Sequence, residues 1–251
     1  MGSRSEADVR WSRDALGRDR IWYSVDEIES IMEDEARKAG LTPTAERPAV
    51  ELEAFLEQHL GATLDQHAKL PIDVLGQTTF ELGTRVRVEI NADLTGALDD
   101  GGWLGDVGRW RATLAHEGAH ILLHRVLFEV PLSQGTLFDE EPAAAQIMLR
   151  CLKRDVAPGR GSSDWREVQA NMGMAALLMP RALFVAVASE ERAALGLPDF
   201  PLVVGSLDTD RLVQRVAARF EVSRQAAEIR LRTLGLSIDA SAQALGLTSQ
   251  V

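Results

Sequence analysis

Apolar positions recur along this chain mostly at helical spacing and alternate in one short segment. Ile28, Ile31, Met32 and Ala36 share one helical face, which Ser24 can cap with Glu27 three residues on, and Gly40 ends the pattern. After the break from Pro43 to Pro48, a second amphipathic helix begins at Val50 and stops at Gly61. Thr78 to Phe80 and Arg85 to Ile90 read as strands. The second puts Val86, Val88 and Ile90 on one side and Arg85, Arg87 and Glu89 on the other, and Gly83 between them predicts a hairpin. At a sheet edge, that second strand would be free to pair with an extended peptide.

The polar, glycine-rich stretch from Thr95 to Gly108 reads as a loop leading into a helix from about Arg109 to Leu127. Gln134 to Pro142 is expected to be irregular, Ala143 to Lys153 helical, and Pro158 to Ser163 an exposed turn. Asp164 then opens a helix to about Met179, stopped by Pro180. Asp208 to Phe220 and Ser223 to Leu234 form two more helices, joined by a short turn and closed by Gly235 in the manner of a helix-turn-helix. The first 22 residues carry no sustained period and are expected to be poorly ordered. The fold class is therefore α+β, mainly helical with a small β-sheet, in a domain over 23–200 and a C-terminal helical module over 201–251.

Composition narrows the setting. A chain of 251 residues, 45% of them apolar, can bury a core without covalent staples. Cys151 is the only cysteine, which excludes an intramolecular disulfide framework and a cysteine metal cage. No apolar run approaches membrane-spanning length and the first twenty residues hold no signal-type apolar segment, so a soluble, cytoplasmic protein without a membrane partner is expected. The net charge of −11 disfavours a nucleic-acid coat. From Asp208 to Leu236, however, six arginines face four acids, a local balance of +2, so any DNA contact would fall there.

The candidate chemistry lies in Ala115-His116-Glu117-Gly118-Ala119-His120. Two histidines four apart stack on one helical face and can reach one metal, with the carboxylate between them alongside. In such a site His116 and His120 are ligands, and Glu117 takes a proton from water and returns it to the leaving amine. A catalytic zinc needs a third protein ligand and an open position. His124 lies about 12 Å of helical rise from His116, too far to share one ion with it, and reads as a supporting residue. Glu167 is a second candidate, in competition with a capping role three residues after Asp164; Asn171, four further on, shares its face and can orient a ligand. Asp139, Glu140 and Glu141 form a third, acidic and solvated, group of candidates.

Three segments together, Arg111 to His120, Glu167 to Asn171 and Ala175 to Pro180, resemble the signatures of the ImmA/IrrE family of zinc metallopeptidases. The resemblance extends from about Ala49 to Leu236, taking in Val86 to Asn91 and the helix pair around Phe220 and Arg230. It implies a zincin-like domain, Zn2+ held by His116, His120 and Glu167, and a catalytic Glu117. It also implies a protein substrate, a helix-turn-helix repressor whose loss derepresses mobile-element or stress genes. Ile229 stands where many relatives carry a tyrosine before an Arg-Leu pair, so Arg230 is either a substitute support for the oxyanion or a surface arginine. Met172-Gly173-Met174 replaces a phenylalanine, a change in packing. The rival to a peptidase is a non-catalytic module that binds a repressor, or DNA through Arg224, Gln225 and Glu228.

Overall fold

Ser24 opens α1 (Val25–Lys38) with the expected reciprocal cap. Its hydroxyl accepts from the Glu27 amide at 3.2 Å and its own amide donates to the Glu27 carboxylate at 2.7 Å. The computed structural model describes residues 10–13, 19–80, 85–99, 101, 103–127, 147–152 and 164–241. The expected turn at Gly83, the irregular stretch 134–142 with its acids Asp139, Glu140 and Glu141, and the turn 158–163 lie outside the described residues. The N-terminal stretch expected to lack order contains an antiparallel pair, β1 (Arg10–Arg13) and β2 (Asp19–Trp22), whose Ile21 is fully buried.

The helix expected from Val50 is α2 (Leu52–Ala54), which widens into a π-helical turn over Phe55–His59. Phe55 and Leu56 from this turn enter the core against Gly118, whose missing side chain leaves room for the Leu56 methyl. Then β3 (Thr63–Ala68), β4 (Val74–Phe80), β5 (Val86–Asn91) and β6 (Ile147–Leu152) form one sheet in the order β3-β5-β4-β6. β4 and β5 are antiparallel, as the hairpin pattern predicts, and β3 joins β5 in parallel. β5 therefore lies inside the sheet with both edges paired, and the expectation of a peptide-binding edge at Arg85 to Ile90 is corrected; the edges of this sheet are β3 and β6.

Two further expectations are overturned by packing. The supposed loop from Thr95 to Gly108 begins inside α3 (Ala92–Asp99) and ends inside the motif helix; α3 is started by the Asn91 side chain accepting from the Asp93 amide at 3.0 Å and anchored by buried Leu94. The helix expected over Ala143 to Lys153 contains instead strand β6, antiparallel to β4. A short apolar run fits either period, and the unpaired backbone of β4 selects the strand.

The motif helix α4 (Leu104–His124) lies against β4 and β5, and α5 (Trp165–Leu178) lies against α4. A Cβ on Gly173 of α5 would sit 2.8 Å from Ala119 Cβ, so glycine is what lets the two backbones approach. Pro180 ends α5 but also caps a helix the periodicity had not suggested, α6 (Arg181–Ala194). A short parallel pair, β7 (Leu202–Val203) with β8 (Ser237–Ile238), brackets α7 (Leu207–Phe220) and α8 (Arg224–Thr233), which Ser206 and Ser223 cap.

This C-terminal helix pair shares the core of the rest of the chain. Phe220 packs on Phe184 with ring centroids 5.3 Å apart, and Val222, Ala227 and Leu231 are fully buried. A Cβ on Gly108 of α4 would lie 2.3 Å from the Ser223 amide nitrogen, so the turn between α7 and α8 is seated on the start of the motif helix. Buried Arg111 reinforces the seat, donating to the Val50 carbonyl at 2.9 Å and lying 3.4 Å from Glu221. Among the described residues, no single helix is long and apolar enough to cross a membrane.

Candidate metal centre

The four-residue spacing on α4 sets the imidazoles of His116 and His120 edge to face, with centroids 4.7 Å apart and their Nε2 atoms 3.0 Å apart. The close approach at Gly173 brings the first turns of α5 over them. Glu167 places Oε2 3.0 Å from His116 Nε2 and Oε1 3.3 Å from His120 Nε2. Its competing role as a capping residue is not taken up, because Asp164 caps α5 through the Arg166 amide at 3.0 Å while the Glu167 side chain turns to the histidines. His116, Glu117 and His120 are fully buried and Glu167 nearly so.

The donor set fits a small divalent cation. Asn171 Oδ1 lies 3.1 Å from His116 Nδ1, so that nitrogen donates and Nε2 keeps its lone pair toward the shared centre. Two imidazole nitrogens and a carboxylate then point at one place, the only such cluster among the described residues. Their separations of 3.0–3.3 Å are close to the ~3.3 Å between ligands that bonds of 2.0–2.1 Å in a tetrahedral site produce. Without a cation, a proton on His116 Nε2 would bridge to Glu167 in its place.

Electrostatics report the same crowding. Burial pulls the His116 pKa down, but the hydrogen bond to Glu167 and the charges of Glu117 and Glu167 outweigh it and leave the group above its ordinary value. Burial prevails at His120, which ends below its ordinary value. Burial pushes the Glu167 carboxyl up, yet its hydrogen bonds to the two histidines hold it well below the usual carboxylate range. His124, equally buried and next to His120, is pushed down by burial to about 3 and is neutral.

Glu117 lies between α4 and the sheet, close enough to His116 for its charge to act there. Thr78 on β4 donates its hydroxyl to Glu117 Oε2 at 2.5 Å, and a Cβ on Gly76 would come within 3.0 Å of Glu117 Oε1. The sequence pattern does not single out Thr78 or Gly76, since β4 is buried along its whole length and shows no alternation. Thr78 stands between Gln77 and Thr79, so its hydroxyl alone does not mark it. Gln169, also passed over, is buried and 3.1 Å from His124 Nε2.

His124 is not drawn into the centre; its Nδ1 lies 3.0 Å from His120 Nδ1, behind the shared point. Arg230 departs from both roles expected for it. It is buried, donates to both Glu29 oxygens at 2.7 and 2.9 Å and to the Met179 carbonyl at 2.8 and 3.0 Å, and is neither a surface group nor aimed at the centre. Ile229 beside it is 41% exposed.

The family model Peptidase_M78, described as the IrrE N-terminal-like domain, matches residues 159–232, which include Glu167, Asn171 and the helix pair but not His116 to His120. No curated protein matches the chain. The match supports the resemblance to ImmA/IrrE-type metallopeptidases that the segments around α4 and α5 carry.

Proposed function

We propose that the protein is a cytoplasmic zinc-dependent endopeptidase that cleaves one protein substrate, a helix-turn-helix type repressor, and so relieves repression in a stress or mobile-element response. The observation that carries this reading is the convergence of His116, His120 and Glu167, with Glu117 directly after His116 on the same helix. A zinc ion held there by His116, His120 and Glu167 would act as Lewis acid, polarising the scissile carbonyl and acidifying water. Glu117 accepts the proton of the attacking water and delivers it to the leaving amine. The Thr78 hydroxyl holds the carboxylate through Oε2. Asn171 keeps His116 in the tautomer that presents Nε2.

Burial of all these groups restricts access, which suits a peptidase acting on one docking partner rather than on any unfolded chain. The DNA-binding alternative is less favoured: α8 presents Arg224 and Gln225 outward but turns Ala227, Arg230 and Leu231 into the core. The deciding experiment compares wild type with Glu117→Gln, measuring zinc content and cleavage of a repressor encoded beside the gene. Retained zinc with cleavage lost by at least about a hundredfold is expected from removal of a general base; full cleavage by the variant would refute the mechanism.

A further inference from the structure

Behind His120, away from the shared centre, runs a buried series of hydrogen bonds whose direction is determined at its far end. The Ile21 carbonyl of β2 can only accept, so the Gln169 side-chain nitrogen, 3.0 Å away, is the end of the amide that faces it. Gln169 Oε1 is thereby turned to His124 Nε2 at 3.1 Å and can only accept, which places the His124 proton on Nε2. His124 Nδ1 is left with its lone pair, 3.0 Å from His120 Nδ1, so His120 must donate from Nδ1. The opposite tautomer of His124 would set two acceptors against each other at 3.1 Å. His120 consequently keeps the lone pair of Nε2, the atom that faces His116 and Glu167.

We propose that the Ile21 carbonyl, through Gln169 and His124, holds His120 in the Nδ1–H tautomer and so sets the affinity of the centre for its cation, making the N-terminal strand pair part of the metal site. Gln169 and His124 are positioning residues; neither touches substrate. The surroundings brace the relay. The Trp165 ring stands edge-on to His124 with centroids 5.5 Å apart, the Arg20 guanidinium lies 5.6 Å over the Trp165 ring, and the Tyr23 hydroxyl is 3.5 Å from the Leu123 carbonyl. Residues 20–23 thus engage the end of α4 and the start of α5 at several points.

The inference rests on the zinc-site reading above, yet its test does not depend on activity. Nitrogen-resolved NMR of the histidine side chains in the metal-free wild-type protein should show His120 protonated at Nδ1; a proton on Nε2 overturns the relay. Zinc affinity, measured by competition with a chromogenic chelator, should fall about ten- to a hundredfold in Gln169→Leu and in His124→Phe, the range expected for partners that orient a ligand. The His120 Nδ1–H signal should be lost or averaged in both. Unchanged affinity with the Nδ1–H signal retained in either folded variant overturns the proposal. A wild-type protein that binds no zinc would refute the proposed function instead, while the tautomer in the metal-free protein would still decide the relay.

Discussion

Two buried polar clusters flank α5, and they differ in the direction of their free valences. At one end, Arg230 from α8 meets Glu29 from α1 and the Met179 carbonyl, so cation and carboxylate neutralise each other and the main guanidinium donors are used. At the other, His116, His120 and Glu167 turn acceptors toward a common point. Both clusters are shielded from water, so burial of ionisable groups alone does not distinguish a site from a structural tie. What distinguishes them is completeness. The first cluster is satisfied by its own members; the second gathers three potential ligand atoms at one point.

The sharpest way to break this comparison is Arg230→Met, which leaves Glu29 buried without its cation. Urea denaturation should show a loss of about 3–5 kcal/mol, and adding Glu29→Leu should restore most of it, because a self-contained buried pair can be replaced by apolar packing. Zinc content per folded molecule should stay unchanged in the double variant. Gly173→Ala acts on the other cluster by separating α5 from α4, since the new Cβ would meet Ala119 Cβ at 2.8 Å. A loss of about 1–3 kcal/mol is expected from such overpacking, accompanied by weaker zinc binding in chelator competition.

The smallest effect belongs to a third cluster at the rim, where Glu191 on α6 binds Arg215 and Arg219 of α7. Burial raises the Glu191 carboxyl, but the hydrogen bonds and charges of the two arginines outweigh it, and the pKa lies below the ordinary 4.5. A depressed carboxyl stabilises the fold above its unfolded pKa and ceases to do so as pH falls through the lower folded value. Glu191→Gln should therefore cost about 1 kcal/mol at neutral pH, because the buried carboxylate is paired with arginines that reach solvent. The difference from wild type should shrink as pH is lowered below 4.5 in parallel denaturation series.

The candidate metal ligands are the more legible part of this protein. His116 and His120 are readable because helical spacing alone stacks them, and Glu167 with Asn171 because polar residues four apart on an apolar stripe need partners. The relay was not readable, since Gln169 reaches the backbone carbonyl of Ile21, 148 positions away, and a carbonyl leaves no trace in residue identity. β3 was equally hidden: its Thr-Leu-Asp-Gln-His-Ala sequence has no apolar alternation, being an edge strand, and only pairing with β5 makes it one. Arg230 looked like a surface or catalytic arginine because its partner is on the first helix.

That partner lies 201 residues earlier in the chain. During synthesis α1 emerges first, with the Glu29 carboxylate on its inward face, and its guanidinium partner leaves the ribosome only when α8 does. The N-terminal helix therefore has no finished seat until nearly the whole polypeptide is made, and closure of the fold is a late event of high contact order. A nascent chain that stops before α8 would leave Glu29 only the longer 3.8 Å contact with Arg181, which couples the integrity of the first helix to completion of the last.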